Sequence, residues 1–302
     1  MIRTKSGAAT LSVVSNSILI ALKVAVGAIT GSIAIITEAA HSLIDLLASV
    51  ITLTSVRKAD EPADVDHPYG HQKLENLAAQ IEGMLILVGA AVIIYEATRR
   101  LVVGAKIDTV GLGIAVMAVS ALANFAISSF LGRQARRLDS PALAGDAAHL
   151  RTDAYTSIGV LGGLLLVVLT GAAAFDAITA LVVAVVIVVS GLRIITSSSR
   201  VLVDEALPPA ELDRIEAAIA ASRPPEMAGY HKLRARRAGS RRYVDLHVQF
   251  RSGTSLERAH ELAHQMRGAI ESELPAADVL IHVEPEESVL APGESPGPYR
   301  AG

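Results

Sequence analysis

Six stretches of the chain are almost continuously apolar, running from about Ala8 to Ile29, Ile33 to Val56, Leu74 to Val103, Val110 to Leu131, Ala142 to Leu169 and Ala174 to Thr196. Crossing a bilayer core takes roughly 20 such residues as a helix, because every backbone polar group must be satisfied within the segment. The pattern therefore predicts six transmembrane helices joined by short loops. After Leu207-Pro208-Pro209 the apolar runs give way to short, charged elements. Glu211 to Ala221 has helical periodicity, His231 to Arg237 and Tyr243 to Phe250 alternate as strands around Ala238-Gly239-Ser240, Leu256 to Glu273 reads as a helix and Asp278 to Val283 as a strand. That order, αββαβ, predicts a small domain with one helical layer over a sheet. The expected organisation is an α-helical membrane domain over 1–206, a cytoplasmic domain over 207–287 and a disordered tail over 288–302, where Pro292, Gly293, Pro296, Gly297 and Pro298 crowd together.

Composition narrows the function. With 302 residues, 51% of them hydrophobic, and a mean hydropathy of +0.45, the chain is too apolar for an ordinary soluble enzyme. The absence of Cys excludes disulfides, thiolate ligands and Cys nucleophiles. A net charge of -3 gives no field for nucleic acid, and the Arg234, Arg236, Arg237, Arg241, Arg242 run lacks interleaved aromatics, so it reads as a solvated hairpin beside the membrane. No glycine loop for nucleotides and no nucleophile with its base points to an enzyme. Basic residues mark the cytoplasmic side. Arg57 and Lys58, then Arg133, Arg136 and Arg137, then Arg193 and Arg200 place both termini inside, against Arg99, Arg100 and Lys106 on the other side. Met1 to Ser6 has no small-residue cleavage site before its long apolar run, which predicts a retained first helix.

Ionisable residues inside the spans carry the chemistry. His41 and Asp45 in the second span and His149 and Asp153 in the fifth are each spaced i,i+4, so each pair shares one helix face. Two such faces present two imidazoles and two carboxylates to one point, a donor set suited to tetrahedral zinc, and the two Asp charges cancel one divalent cation. The competing reading, hydrogen bonds to neighbouring helices, suits a single pair better than a repeated one. Asn16, Lys23, Glu38, Gln80, Glu82 and Asn124 are read as helix-joining or pathway residues, with Lys23 snorkelling to the interface. Before the third span, Asp64, His67 and His71, with Asp66 as a further carboxylate, stand in a turn marked by Pro68 and Gly70. A solvated acidic turn is the alternative there. In the soluble domain His231 and His247 lie on predicted strands, His260 and His264 are i,i+4 on a helix, and His282 and Glu284 alternate onto one strand face. They either converge or are scattered surface imidazoles.

These residues together resemble the cation diffusion facilitator family of divalent-metal/proton antiporters, from about Leu11 to Glu286. The resemblance rests on the six spans and αββαβ domain, Gly31-Ser32, His41-Ser42-Leu43-Ile44-Asp45, the Asp64 to His71 cluster followed by Lys73-x-Glu75, and His149 to Asp153. It implies a metallochaperone-like cytoplasmic domain and a transport tetrad of His41, Asp45, His149 and Asp153. It further implies a loop site of Asp64, His67 and His71, and a binuclear site of His231, His247, His260, His282 and Glu284 at a homodimer interface. Lys73 and Asp204 match the family's intersubunit charge interlock. His in place of the Asp that well-known bacterial relatives carry at position 41 resembles zinc-selective members. The family's usual His-x-Asp ending is here His282-Val283-Glu284, which puts a second metal there in question. The short, basic 132–141 segment lacks the His-rich insert of vesicular eukaryotic members, which favours a bacterial plasma-membrane exporter. The expected function is Zn2+ efflux in exchange for protons, with Zn2+ both substrate and regulatory ligand and membrane lipid as surroundings. The alternatives are Mn, Fe, Co, Ni or Cd as substrate, or a membrane metal sensor that moves no ions.

Overall fold

The computed structural model describes residues 4–30, 33–103, 111–172 and 174–286, and the chain divides into two compact units, residues 1–200 and 201–302. The side chains of Glu38 and His41, the loop around Lys106 and the tail expected to be disordered lie outside the described residues.

Unit one is built from α1 (Lys5–Thr30), α2 (Ile33–Ala59), α3 (Lys73–Val103), α4 (Gly111–Leu138), α5 (Pro141–Thr170) and α6 (Ala174–Leu202). At 1.5 Å per residue each is roughly 40 Å long, enough to cross a bilayer core. Among the described residues, length and composition alone qualify three stretches as spans, Lys5–Ile29, Lys73–Val102 and Ala177–Leu202. Several helices outrun their apolar stretches at one end: α2 continues through Arg57 and Lys58, α4 through Arg136 and Arg137, α6 through Arg200. Basic side chains there complement the negative end of the helix dipole, so the helix does not stop where hydropathy does. The α5 start is sharply set. Ser140 caps it by accepting from the Leu143 amide at 3.4 Å, with Pro141 in the first turn, where its missing N–H costs nothing.

The packing inverts the soluble pattern. Large apolar residues such as Ile18, Ile29, Leu122 and Val182 are exposed, whereas Asp45, Glu75, Glu82, Asp146 and His149 are buried. An apolar exterior around a polar interior is what a lipid-facing bundle requires. Between the helices, contacts are made by small residues. A side-chain carbon at Gly191 would stand 2.9 Å from Leu87 and one at Gly159 would stand 2.6 Å from Val183, so these glycines let α6 lie close against α3 and α5. Lys23 corrects the sequence reading. It does not snorkel; it is buried and donates to the Ser42 hydroxyl at 2.6 Å, tying α1 to α2. A buried partner one helix away gives its ammonium a shorter route to a hydrogen bond than the interface does.

Unit two contains α7 (Pro209–Ala221), β1 (Met227–Ala238), β2 (Arg241–Phe250), α8 (Leu256–Glu273) and β3 (Ala277–Pro285), the αββαβ order expected from the sequence. The sheet runs β1-β2-β3, with β1 and β2 an antiparallel hairpin and β3 parallel to β2 through the α8 crossover. Alternation divides its faces. Val244, Leu246, Val248 and Phe250 point into a core shared with Ile215 and Ile219 of α7 and Met266 and Ile270 of α8. Asp245, His247 and Gln249 consequently point to the other side of the sheet.

Candidate metal centres

In unit one, α2 and α5 bring Asp45, His149 and Asp153 together so that one ligand atom from each lies within 4.8 Å of the others. His149 Nε2 stands 3.2 Å from Asp45 Oδ1. His41 is one turn before Asp45 on α2, and its side chain lies outside the described residues. Around the trio is a layer of buried polar groups. Asn16 donates to Ser49 Oγ at 2.8 Å, Ser49 to Asp146 Oδ1 at 3.1 Å, and Thr52 to Glu82 Oε1 at 3.0 Å. Glu82 Oε2 faces His149 Nδ1 at 3.6 Å. Gln80 joins α3 to α6 through Ser199 at 3.3 Å, a helix-joining role as read from sequence, and Asn124 is buried in α4.

Sequence reasoning passed over Asp146. It is fully buried and precedes His149 by three and Asp153 by seven, so the i, i+3, i+7 spacing marks one face of α5 and was available as a signal. It also assigned no role to Lys5. At the start of α1, Lys5 Nζ lies 2.5 Å from Glu75 Oε1, and the other Glu75 oxygen accepts from Ser140. One carboxylate thus ties the first turns of α1, α3 and α5. Nothing local in the sequence links positions 5, 75 and 140.

The 60–72 segment between α2 and α3 holds the second group, Asp64, His67 and His71. Asp64 Oδ1 lies 3.1 Å from His67 Nδ1 and Asp64 Oδ2 lies 3.2 Å from His71 Nε2, with the two rings 4.5 Å apart. The His67 backbone N–H donates to Asp64 at 2.7 Å and holds its carboxyl below the usual carboxylate value. Gly70, at φ +83, supplies the left-handed turn that returns the chain so His71 reaches Asp64. Asp66 is exposed and does not join the three.

In unit two the strand register does the gathering. His231 pairs with His247 across β1 and β2, and His247 with His282 across β2 and β3, so three imidazoles form one row over the sheet. Their rings are 5.1 and 4.7 Å apart. Glu284 bridges them, 2.7 Å from His231 Nε2 and 2.6 Å from His247 Nδ1, with His282 at 3.6 Å. Partial burial pushes the Glu284 carboxyl up, but the hydrogen bonds from His231 and then His247 outweigh it and hold it below its ordinary value. His231, His247 and Glu284 form the tight trio, and His282 is exposed at its edge. The structure does not bring His260 to them. It lies on α8 beside His264, rings 4.8 Å apart, and α8 covers the sheet face opposite the histidine row. Asp204, placed in an intersubunit interlock by resemblance, pairs within the chain with Arg236 at 2.9 Å.

Two family profiles match the chain, the cation efflux transmembrane domain over residues 9–203 and the cytoplasmic domain of cation efflux proteins over 207–286. Among similar proteins, an uncharacterized transporter of Synechocystis sp. is 33% identical over 281 residues, 92% of this chain and 90% of its own. The cation-efflux pump FieF of Klebsiella pneumoniae is 31% identical over 293 residues, 96% of this chain and 95% of its own. Among solved structures, the zinc form of the putative zinc transporter CzrB is 35% identical, covering 29% of this chain and 99% of that one at a TM-score of 0.27. The metal-bound C-terminal domain of the CzcD transporter from Thermotoga maritima is 30% identical, covering 28% and 100% at a TM-score of 0.25.

Proposed function

We propose, because the chain belongs to the cation diffusion facilitator family of cation efflux proteins, that it expels Zn2+ from the cytoplasm in exchange for protons. Cation efflux across a membrane, rather than enzymatic turnover, is the activity of the family. The observation that carries the finer reading is the trio of buried Asp45 and His149 with half-buried Asp153 inside an apolar helical unit. Two carboxylates and an imidazole in hydrocarbon are costly unless a divalent cation, or protons in its place, restores neutrality. With His41 as a fourth donor the set is two nitrogens and two oxygens, which suits tetrahedral zinc.

In this mechanism all six long helices cross the bilayer, with both termini in the cytoplasm of a bacterial plasma membrane. The site faces inward to load Zn2+ and outward to release it. Imidazole makes the exchange workable, because its ordinary pKa near 6.5 lets protons displace the ion within the physiological range. Asp64, His67 and His71 bind metal at the cytoplasmic side. His231, His247, His282 and Glu284 bind regulatory Zn2+ in a homodimer, with His260 contributing only from the partner subunit, since its own sheet separates it from the row.

The test is Zn2+ flux in proteoliposomes with an imposed pH gradient. The parent protein should drive zinc against its gradient at the expense of protons, and Asp45→Ala or Asp153→Ala should abolish it. Unaltered flux in either variant overturns the reading. Mn2+, Fe2+, Co2+, Ni2+ and Cd2+ as competitors in the same vesicles rank the substrates.

A further inference from the structure

Glu82 has no assigned part in the exchange, yet its carboxylate stands against the imidazole of the candidate transport site, on the side away from Asp45. Its side chain is fully buried on α3, in the middle of the bundle. A buried carboxylate is expensive unless its oxygens are occupied. One is: Oε1 accepts from Thr52 at 3.0 Å. The other, Oε2, and His149 Nδ1 face one another at 3.6 Å, and among the described residues neither has a hydrogen-bond partner. Two buried polar atoms that face each other form half of an interaction, short of a hydrogen bond by about 0.7 Å.

The fold is arranged to bring them together. Gly145 lies one helical turn before His149 on the same face of α5, and a side-chain carbon there would stand 3.1 Å from Ala79 Cα and 3.2 Å from Glu82 Cβ. The glycine thus lets α3 approach α5 at the level where Glu82 reaches the ring. On the far side of the ring, Nε2 is 3.2 Å from Asp45 Oδ1. One imidazole therefore sits between two carboxylates, one belonging to the metal trio and one not.

We propose that Glu82 is the positioning residue for His149: its carboxylate accepts a hydrogen bond from Nδ1–H, leaving Nε2 bare for the transported ion. This rests on the reading of Asp45, His149 and Asp153 as the transport site. A neutral imidazole carries one ring proton, and the nitrogen that meets a metal must be the other. With Nε2 donating to Asp45, Nδ1 is bare and its lone pair meets that of Oε2, which agrees with the open 3.6 Å gap. When a cation takes Nε2, the ring proton belongs on Nδ1 and Oε2 becomes its acceptor. A carboxylate behind a metal-bound histidine fixes the tautomer and makes the ligating nitrogen more basic.

The experiment compares Glu82→Gln, Asp153→Ala and the parent, each as full-length chain, by Zn2+ flux in proteoliposomes and by thermal unfolding in detergent without metal. Glu82→Gln should raise the zinc concentration for half-maximal flux about 10- to 100-fold while leaving the maximal rate largely intact. Its metal-free melting temperature should be no lower than the parent's, because the substitution removes an unsatisfied buried charge. A merely structural glutamate gives the reverse: a lower melting temperature, a reduced maximal rate and an unchanged half-saturation, and that outcome overturns the proposal. Asp153→Ala separates the two levels. If it abolishes flux while Glu82→Gln leaves half-saturation unmoved, only the role of Glu82 falls; if Asp153→Ala transports normally, the site reading falls and the role of Glu82 with it.

Discussion

Replacing Lys5 with Met removes the cation paired with Glu75 and leaves its carboxylate enclosed, since Glu75 is fully buried and Lys5 only 12% exposed. Breaking a buried pair from one side typically costs about 3 to 5 kcal/mol, because the remaining charge has lost its partner and cannot reach water. Protonation limits the loss. Neutralising a carboxyl of ordinary pKa at pH 7 costs about 3.7 kcal/mol, so Lys5→Met should destabilise unit one by about 3 to 4 kcal/mol. For a unit of this size that corresponds to a melting temperature lower by about 7 to 15 °C. Glu75→Gln should cost less, about 1.5 to 3 kcal/mol, because Lys5 stands at the first residue of α1 and can turn toward solvent. The informative variant is the double one. Lys5→Met with Glu75→Gln contains no stranded charge and should recover about 2 kcal/mol over Lys5→Met alone. The assay is thermal unfolding of the metal-free protein in detergent at pH 7. A Lys5→Met variant melting within a degree of the parent, or a double variant whose loss is the sum of the single ones, would refute the reasoning.

Two further outcomes follow from particular contacts. In unit two, Glu211 of α7 receives Arg237 at 2.6 Å and Arg242 at 2.9 Å; burial pushes its carboxyl up, but the two guanidinium partners outweigh that and hold it below the ordinary value. A depressed folded-state pKa means the stabilisation is present above the unfolded value, near 4.3, and disappears as pH falls through the lower folded one; Glu211→Gln should therefore flatten the acid loss of hydrogen-exchange protection in α7 and the β1–β2 hairpin, and an unchanged acid limb would contradict the assignment. In unit one, Gly145→Ala gains roughly 0.5 to 1 kcal/mol of helix propensity while forcing α3 back by a few tenths of an ångström, so the melting temperature should hold and the zinc half-saturation of flux should rise; a loss of stability with unaltered half-saturation would show that the close approach serves packing alone.

Much of this was legible in residue order, for reasons that differ by element. The helices declared themselves through hydropathy, and the αββαβ unit through a change of period from about 3.6 to 2 around Ala238-Gly239-Ser240. Asp45, His149 and Asp153 were conspicuous because carboxylates in apolar runs are rare. Asp64, His67 and His71 were visible for another reason, being close in sequence. Pairings across the bundle were not legible. That Glu75 meets Lys5 and Ser140, or that Glu82 meets His149, depends on which helix faces which, and periodicity gives a face without its partner. Lys23 was misread for the same reason: snorkelling is inferred from depth alone, whereas the Ser42 hydroxyl that holds it comes from α2. The histidine row over the sheet required a register, which β1 sets with an irregularity between His231 and Arg234 that no pattern of alternation announces.

Two connections at the same end of this framework differ greatly in reach. Only Asp139 and Ser140 separate α4 from α5, so their adjoining ends can part by no more than roughly 11 Å of extended chain. Their joined ends must therefore move together, which couples α4 to the helix that carries His149 and Asp153. The thirteen residues of 60–72, by contrast, form a long tether between α2 and α3. Among the described connections of unit one, slack is greatest where Asp64, His67 and His71 stand, and a rearrangement that separates α3 from α2 draws chain through that segment.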